Sequence, residues 1–430
     1  MPISSRIAAG LLDHIRRKTQ GTSFDARLAS RPPATAPAPP PVPRERGLAG
    51  LAKRRALLGS LGAALPVLTG ERTVLAPDGF CGNIENLIGV AQVPVGVIGP
   101  LRINGLYAHD DFYVPLATTE GALVASHARG AAVITRSGGA RCLCMMERMT
   151  RAPAFRFETL VDAGHFIAFA LDSFPVLSQQ VAETTRHGRL EDLRVHWDGN
   201  LVYLLCDYST GDAAGQNMVT LATNRIVEYL VRCSPVTPGF STVESNLSGD
   251  KKASALAFQY VRGKRVIAEV EIPRTVVEGD LRTTPEAMER SWKVAFVAAS
   301  QAGTIGMQGQ FANGLAALFI ACGQDAACVA EAAVGNSRFE ATDSGLYVSV
   351  CLPNLIVGTV GGGTGMPTAQ ECLGLLGCLG DGTAPKLAEI AAALVLAGEI
   401  SINAALTSGD FAKAHAVLGR KHGTPEPVLP

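Results

Sequence analysis

The sequence predicts an α+β fold: a large mixed domain with a smaller sheet domain inserted into it, preceded by a helical N-terminal segment. Three observations predict it. Between Leu160 and Val243 the texture shifts to short apolar runs, Phe166-Ile-Ala-Phe-Ala-Leu, residues 190–197 and residues 201–207, which read as strands. On either side the chain is rich in glycine and small residues. Helical patterns fall at residues 218–231, 285–302 and 385–405. An inserted sheet unit flanked by two parts of one larger domain accounts for all three.

The elements follow in order. Arg6, Arg16, Arg17 and Lys18 surround Ile7, Leu11, Leu12 and Ile15, the pattern of a short amphipathic helix without the apolar region of a secretory signal. Residues 31–46 are rich in Pro and Ala, so residues 1–46 are expected to form a disordered tail. Residues 47–75 form the helical segment, with a basic helix over 51–61. The large domain takes 76–157 and 243–405, the inserted domain takes 158–242, and residues 406–430 close the chain.

Composition narrows the function. A chain of 430 residues, 47% hydrophobic and 18% charged, supports a large core in about two or three domains. A formal net charge of zero argues against a nucleic-acid surface or a polybasic membrane patch. The ten cysteines form no C-x-x-C pair, which suggests free thiols in a reducing, cytoplasmic setting and no structural metal. Residues 314–322 are too short to span a membrane, and the apolar stretch from Leu387 is interrupted by Glu389 and Glu399.

Five stretches carry chemistry. In Val114-Pro-Leu-Ala-Thr-Thr-Glu120-Gly, a strand ends at Ala117, and Thr118 and Thr119 read as helix-start residues. A carboxyl group there, half out of water, would gain proton affinity and suit a proton donor; a capping glutamate is the alternative. In Asn246-Leu-Ser-Gly-Asp250-Lys251-Lys252, an ammonium could stabilise a forming oxyanion, or the charges could simply be solvated. Asp325, in Gly323-Gln-Asp, follows an apolar helix and could couple to a second carboxyl or hold a lysine; it could also be a helix-terminal polar residue. Gly358-Thr-Val-Gly361-Gly362-Gly363-Thr364 allows a ligand to lie against the backbone, though no G-x-G-x-x-G occurs. Asp212-Ala-Ala-Gly215-Gln-Asn217 opens a helix whose free amides suit phosphate, with Arg186 placed to add a cation.

Taken together, Glu85-Asn-Leu-Ile-Gly89, Pro94-Val-Gly-Val-Ile-Gly-Pro100, ATTEG, DAAGQN, DKK, GQD and GTVGGGT resemble the 3-hydroxy-3-methylglutaryl-CoA reductases in order and spacing, over about residues 50 to 420. ATTEG, DKK and the DAxGxN block look like the class I form. The resemblance implies a large acyl-CoA-binding domain, an inserted ferredoxin-like nucleotide-binding domain, homodimers with shared active sites, and a mobile C-terminal flap. It implies reduction of the thioester to mevalonate and CoA with two NADPH per turnover. It assigns Lys251 to the oxyanion, Glu120 to the proton for the carbonyl oxygen, Asp325 to coupling the two, and His415 to the departing thiolate. Arg156, Asp250 and Lys252 would meet the acyl carboxylate end, with Asn313, Glu85 and Asn86 also on the substrate. Thr185, Arg186, Asp212, Gly215, Asn217, Gly361, Gly362 and Arg420 would hold NADPH, with Arg186 on the 2′-phosphate.

The chain departs from the family's pattern in places. Glu244 stands where a serine is usual, and its charge should repel a substrate carboxylate unless Arg156 or Lys252 neutralises it. An expected lysine falls on Val294, with Lys293 a helix rotation of about 100 degrees away. Gln310 replaces a histidine, and Leu418 and Gly419 stand near where another histidine and an asparagine are usual. The departures keep two further readings in view: a paralogue acting on a related acyl-CoA, and a non-catalytic CoA-binding homologue.

Overall fold

The computed structural model describes residues 5–19, 23–31, 39–72, 80 and 82–418. Three helices, α1 (Ser5–Lys18), α2 (Phe24–Leu28) and α3 (Gly47–Ser60), precede the sheet. A hairpin of β1 (Val95–Gly105) and β2 (His109–Ala117) leads through α4 (Leu123–Arg136) to β3 (Ala140–Arg151). The inserted region runs β4 (Ala154–Arg156), α5 (Leu160–Asp172), α6 (Phe174–Thr184), β5 (Arg189–Asp198), β6 (Leu201–Ser209), α7 (Gln216–Cys233) and β7 (Phe240–Thr242). The chain then forms β8 (Gly263–Pro273), α8 (Arg274–Asp280), α9 (Pro285–Ala302), β9 (Gly306–Met307), α10 (Phe311–Ala321) and α11 (Val329–Ala332). It ends in β10 (Gly335–Ala341), β11 (Gly345–Leu355), α12 (Pro367–Leu375), α13 (Ala384–Ser408) and α14 (Phe411–Leu418).

Strand β3 joins two sheets. Its residues Arg141–Arg148 pair antiparallel with β8, while Met149–Arg151 pair with β6. On the first side the order continues β8-β11-β10-β9, with β1 parallel to β3 and β2 outside it. On the second side β7, β4, β6 and β5 lie in that order, every neighbouring pair antiparallel. Helices α5 and α6 connect β4 to β5 across β6, and α7 connects β6 to β7 across β4, a split β-α-β arrangement.

The run at Phe166 is a correction to the sequence reading. It lies in α5, not in a strand. Thr159 and Asp162 form a capping box, and Ala163, Phe166 and Ala170 bury one helical face. A short apolar run does not reveal its period, so the cap decided the element. Thr118 and Thr119 likewise do not start a helix. Helix α4 begins after Ala122, whose φ is 71°, and Thr118 Oγ1 instead accepts the Glu120 N–H at 3.0 Å.

Helix α13 crosses the core and is long and apolar enough to span a membrane by composition, yet it is buried inside the fold. Its two glutamates bind backbone. Glu389 accepts the N–H groups of Tyr107, Ala108 and Cys144 at 2.8, 2.7 and 3.0 Å, tying the β1–β2 turn to β3. Glu399 accepts those of Gly309 and Gln310 at 3.0 and 2.7 Å. Burial raises both carboxyl pKa values, that of Glu389 to about 7, against the pull of these hydrogen bonds. Helix α4 meets α13 so closely that a Cβ on Gly130 would lie 1.9 Å from the Ala397 oxygen.

The described parts of the tail are ordered against the body, contrary to the expected disorder. Arg31 donates to the Ile103 oxygen at 2.8 Å and to Asn104 at 2.6 Å. The buried Arg102 donates to the Arg31 oxygen at 2.8 Å while paired with Asp111. Farther on, Val42 N–H donates to Gly99 O and the Tyr113 hydroxyl to Pro40 O.

Candidate functional site

The DKK stretch is a structured charge cluster. Lys251 has a positive φ of 56°, and its backbone N–H donates to Glu331 Oε1 at 3.0 Å. That turn presents the ammonium to Asp325, Nζ to Oδ2 2.8 Å, with both side chains 41% exposed. Asp325 uses its other oxygen to cap the short turn after α10, accepting from Ala327 N at 3.0 Å. The hydrogen bond from Lys251 to Asp325 is the main cause that raises the lysine's pKa, so the group remains a cation at neutral pH.

Behind Lys251 stand two arginines that pattern reading did not find as site residues. Arg262 is 2% exposed and pairs with Glu331 and, at 2.7 Å, with Asp250; the second contact is an ion pair without hydrogen-bond alignment. Arg151, at the end of β3, lies 2.7 Å from Asp250 and 3.4 Å from Glu244, and its Nε donates to Thr220 on α7 at 2.9 Å. Burial raises the Asp250 pKa, but Arg262, Arg151 and Lys251 together outweigh it, so its net shift is downward. Glu331 goes the other way, because burial outweighs Arg262.

This corrects the expectation for Arg156. Its side chain is exposed at the end of β4, while Arg151, five residues earlier, faces Asp250. The signal was the strand itself: β3 ends at Arg151, where the chain passes from one sheet to the other. Lys252 is exposed and donates to the Asp250 backbone oxygen at 2.8 Å.

Three loops converge beside this cluster. Ala213 and Val360 form a parallel bridge, and Asp212 O accepts Thr359 N–H at 2.8 Å. Gln324 Oε1 accepts Gly358 N–H at 2.8 Å, and a Cβ on Gly323 would lie 2.2 Å from Gly363 O. Gln216, in the first turn of α7, donates to the Cys328 sulfur at 2.7 Å. The buried Lys264, 3.2 Å from Glu147, holds this region from below, and Glu147 accepts the N–H and hydroxyl of Thr210. Gly215 caps α7 at φ 78° with no side-chain cap, leaving first-turn amides such as that of the exposed Asn217 available. Thr185 Oγ1 contacts Met218 Sδ in that same turn at 2.9 Å, which brings the exposed Arg186 alongside. Gly361 and Gly362, with φ of 73° and 54°, are exposed on the neighbouring loop.

Asp212 is different from the expectation. Its two carboxylate oxygens accept Gly382 N–H at 2.6 Å and Ala384 N–H at 2.9 Å, so the side chain ties the loop to the start of α13. Glu85 and Asn86 are exposed, and no hydrogen bond to either is found among the described residues.

Glu120 lies elsewhere. It lines a cleft of about 930 Å³ with Asn313, Gln310 and His127, to which Pro41, Val42, Pro43, Arg44 and Arg46 also contribute. Lys251 and Asp325 are not part of that lining. From Asn313 to Ala321, helix α10 rises about 12 Å before the turn to Asp325 begins. The expected half-burial of Glu120 is not found in the single chain, where its side chain is exposed. Asp410 and Phe411 line the same cleft, so α14 begins there. His415 falls within α14, but its side chain, like all of Arg420, lies outside the described residues. Val294 is 67% exposed on α9 beside Phe296 and Val297, while Lys293 pairs with Glu289.

Known proteins share both sequence and fold. The family model of hydroxymethylglutaryl-coenzyme A reductase matches residues 51–420. A 3-hydroxy-3-methylglutaryl-coenzyme A reductase of Aeropyrum pernix is 47% identical over 344 residues, 79% of this chain and 82% of the relative. One of Pyrococcus abyssi is 42% identical over 384 residues, 87% of this chain and 94% of the relative. The fold is similar to that of a class II enzyme of Streptococcus pneumoniae bound to NADPH, with a TM-score of 0.68 at 20% identity, covering 83% of this chain and 97% of that one.

Proposed function

The chain belongs to the hydroxymethylglutaryl-coenzyme A reductase family, and from that premise we propose how its residues divide the reaction. It is an oxidoreductase that reduces 3-hydroxy-3-methylglutaryl-CoA to mevalonate and CoA. The observation that carries the residue roles is the ion pair of Lys251 and Asp325 beside three small-residue loops.

Bound NADPH supplies hydride. Its phosphates suit the uncapped start of α7 at Gly215 and Asn217, with Gly361 and Gly362 opposite and the Thr185–Arg186 turn alongside. Arg186 is the exposed cation for a 2′-phosphate. Taking a thioester to an alcohol needs four electrons, so two NADPH are consumed per turnover. The inserted region 158–242 is thus the nucleotide-binding, ferredoxin-like domain, and residues 76–157 and 243–405 hold the acyl-CoA.

Lys251 stabilises the oxyanion that forms on the thioester carbon, and Asp325 fixes the ammonium's position. Asp250 and Arg151 shape the acyl end. Glu120 delivers the proton to the carbonyl oxygen, and His415 the proton to the CoA thiolate. Glu120 and the root of α14 lie in a different cleft from Lys251, so the complete site is built from two copies, the Glu120 cleft of one against the Lys251 loop of its partner. The exposed apolar residues Val294, Phe296 and Val297 of α9 suit such an interface. The ATTEG, DKK and DAxGxN blocks favour the class I form of the family. Nine cysteines free of disulfides among the described residues suit a reducing cytoplasm.

A second reading, a paralogue for a related acyl-CoA, is favoured by one observation: Glu244 sits against Arg151. The test is NADPH oxidation by the full chain with 3-hydroxy-3-methylglutaryl-CoA, with mevalonate and free thiol quantified. Two NADPH consumed per mevalonate supports the assignment; no oxidation with any acyl-CoA rejects catalysis.

A further inference from the structure

The first turn of α7 is bound toward both partners of the Lys251–Asp325 pair. On one side Gln216 donates from Nε2 to Cys328 Sγ at 2.7 Å. Cys328 is the last residue of the short turn that Asp325 caps, and its N–H donates to the Asp325 backbone oxygen at 3.0 Å. Burial pushes the Cys328 thiol up to about 12, so it stays neutral and does not compete with Asp325 for the ammonium. On the other side the Thr220 hydroxyl donates to the Gln216 oxygen at 2.8 Å and accepts Arg151 Nε–H at 2.9 Å. Arg151 in turn meets Asp250, the chain neighbour of Lys251. The same turn faces the nucleotide, because Gly215 and Asn217 on either side of Gln216 belong to the uncapped helix start that suits its phosphates. Yet α7 lies in the inserted region, Lys251 and Asp325 lie in the large domain, and β3 and β6 pair only over Met149–Arg151 where the two sheets meet. A hydride donor carried by one unit must find the carbon whose oxygen the other unit holds, and a misplacement of about 1 Å costs about a hundredfold in rate.

We propose that Gln216 is a positioning residue: by bonding Cys328 it fixes the Asp325 turn, and through it the Lys251 ammonium, relative to the nucleotide seated at the start of α7. The proposal rests on the roles given above to Lys251 and to the helix start. Gln216 itself moves neither proton nor hydride. Its amide makes the turn that meets the phosphates and the turn that meets the ammonium one rigid piece, so the second NADPH finds the same register as the first. Thr220 and Arg151 supply the matching tie on the Asp250 side.

The test measures steady-state NADPH oxidation with 3-hydroxy-3-methylglutaryl-CoA, alongside thermal melts, for the full-chain wild type, Gln216→Leu, Cys328→Ala, their double variant and Cys328→Ser. Gln216→Leu and Cys328→Ala should each lower kcat by about five- to tenfold, the worth of one neutral hydrogen bond, while the KM for NADPH stays within about twofold. The double variant should be no slower than either single, since both remove the same contact. Cys328→Ser, whose hydroxyl can accept the amide N–H, should keep most of the wild-type kcat. An unchanged kcat in folded Gln216→Leu overturns the proposal, even if the melting temperature falls, because the contact then serves the fold alone. A raised NADPH KM at unchanged kcat overturns it too, making Gln216 a nucleotide contact. So do losses that multiply in the double variant, or a serine no better than alanine. Lys251→Ala tells the two levels apart. If it keeps normal turnover, the reading of the site fails; if it is slow while Gln216→Leu is normal, only the positioning role fails.

Discussion

The Lys251 ammonium stands 2.8 Å from Asp325 Oδ2, and each of the two side chains keeps 41% of its surface exposed. An ion pair this open contributes little to stability, since solvent screens it. Its value lies in holding a cation at a fixed point next to loops that admit a ligand. Lys251→Ala should therefore lower kcat by about two to three orders of magnitude or more, the usual cost of losing an oxyanion-stabilising group. The melting temperature should stay close to wild type, because the substitution leaves the backbone and its hydrogen bond to Glu331 in place. Steady-state NADPH oxidation and a thermal melt check both halves. A folded variant with normal turnover would remove Lys251 from the mechanism.

Glu389 yields a prediction about stability and pH. Burial raises its folded pKa to about 7, above the ~4.3 of an unfolded glutamate. The folded state therefore binds its proton more tightly. The stability this adds is fully present below the unfolded pKa and is lost as pH rises toward about 7. A shift of this size corresponds to roughly 3–4 kcal/mol. Glu389→Gln cannot titrate, so it should lack this decline between about pH 4 and 7, although it is less stable throughout because its amide meets the N–H groups that the carboxylate now accepts. Urea unfolding of both proteins across that range measures the difference in slope. Parallel curves would mean that Glu389 does not carry it.

The parts of this fold legible in the sequence are those with a local cause. Helix α9 runs over Pro285–Ala302, the range the sequence pattern predicts, and its ends have local causes: Thr284 caps its start and Gly303, at φ 72°, ends it. The strands β5 and β6 announced themselves by apolar residues between turns. The failures share a different origin. Phe166 sits in an apolar run too short to show its period, and a capping box outside the run settled it. Choosing Arg156 over Arg151 required knowing where β3 leaves one sheet for the other, a fact of strand pairing. Asp212 belongs to a motif that suggests a ligand, but the start of α13, far along the chain, takes both its oxygens. Lys251 and Asp325 were each ambiguous alone; the order of motifs joined them, and the fold places them in contact.

Arg186 lies on the turn after α6, exposed beside the first turn of α7. A guanidinium there has one use if the cofactor carries a 2′-phosphate and none if it does not. Arg186→Ala should raise the KM for NADPH by about ten- to a hundredfold, the equivalent of one or two charge-assisted hydrogen bonds, and change that for NADH little. Side-by-side KM values for the two nucleotides decide it. Equal losses would show that Arg186 does not read that phosphate.

The separation of Glu120 from Lys251 leads to the sharpest test of how the site is assembled. Glu120 opens onto the cleft with Asn313, and Asp325 follows the far end of α10. If one copy's Glu120 serves its partner's Lys251, then Glu120→Gln and Lys251→Ala chains are each inactive alone. In a mixed dimer, both substitutions fall in one site and the other site is intact. Random reassortment makes about half the dimers mixed, each with one working site of two, so activity should return to roughly a quarter of wild type. Unfolding and refolding the two variants together, or co-expressing them, and then assaying NADPH oxidation gives the number. If each site instead draws both residues from one chain, every site in the mixture carries a defect and activity stays at the level of the separate variants. A quarter of wild-type activity therefore requires that the carboxyl group and the ammonium meet across the interface.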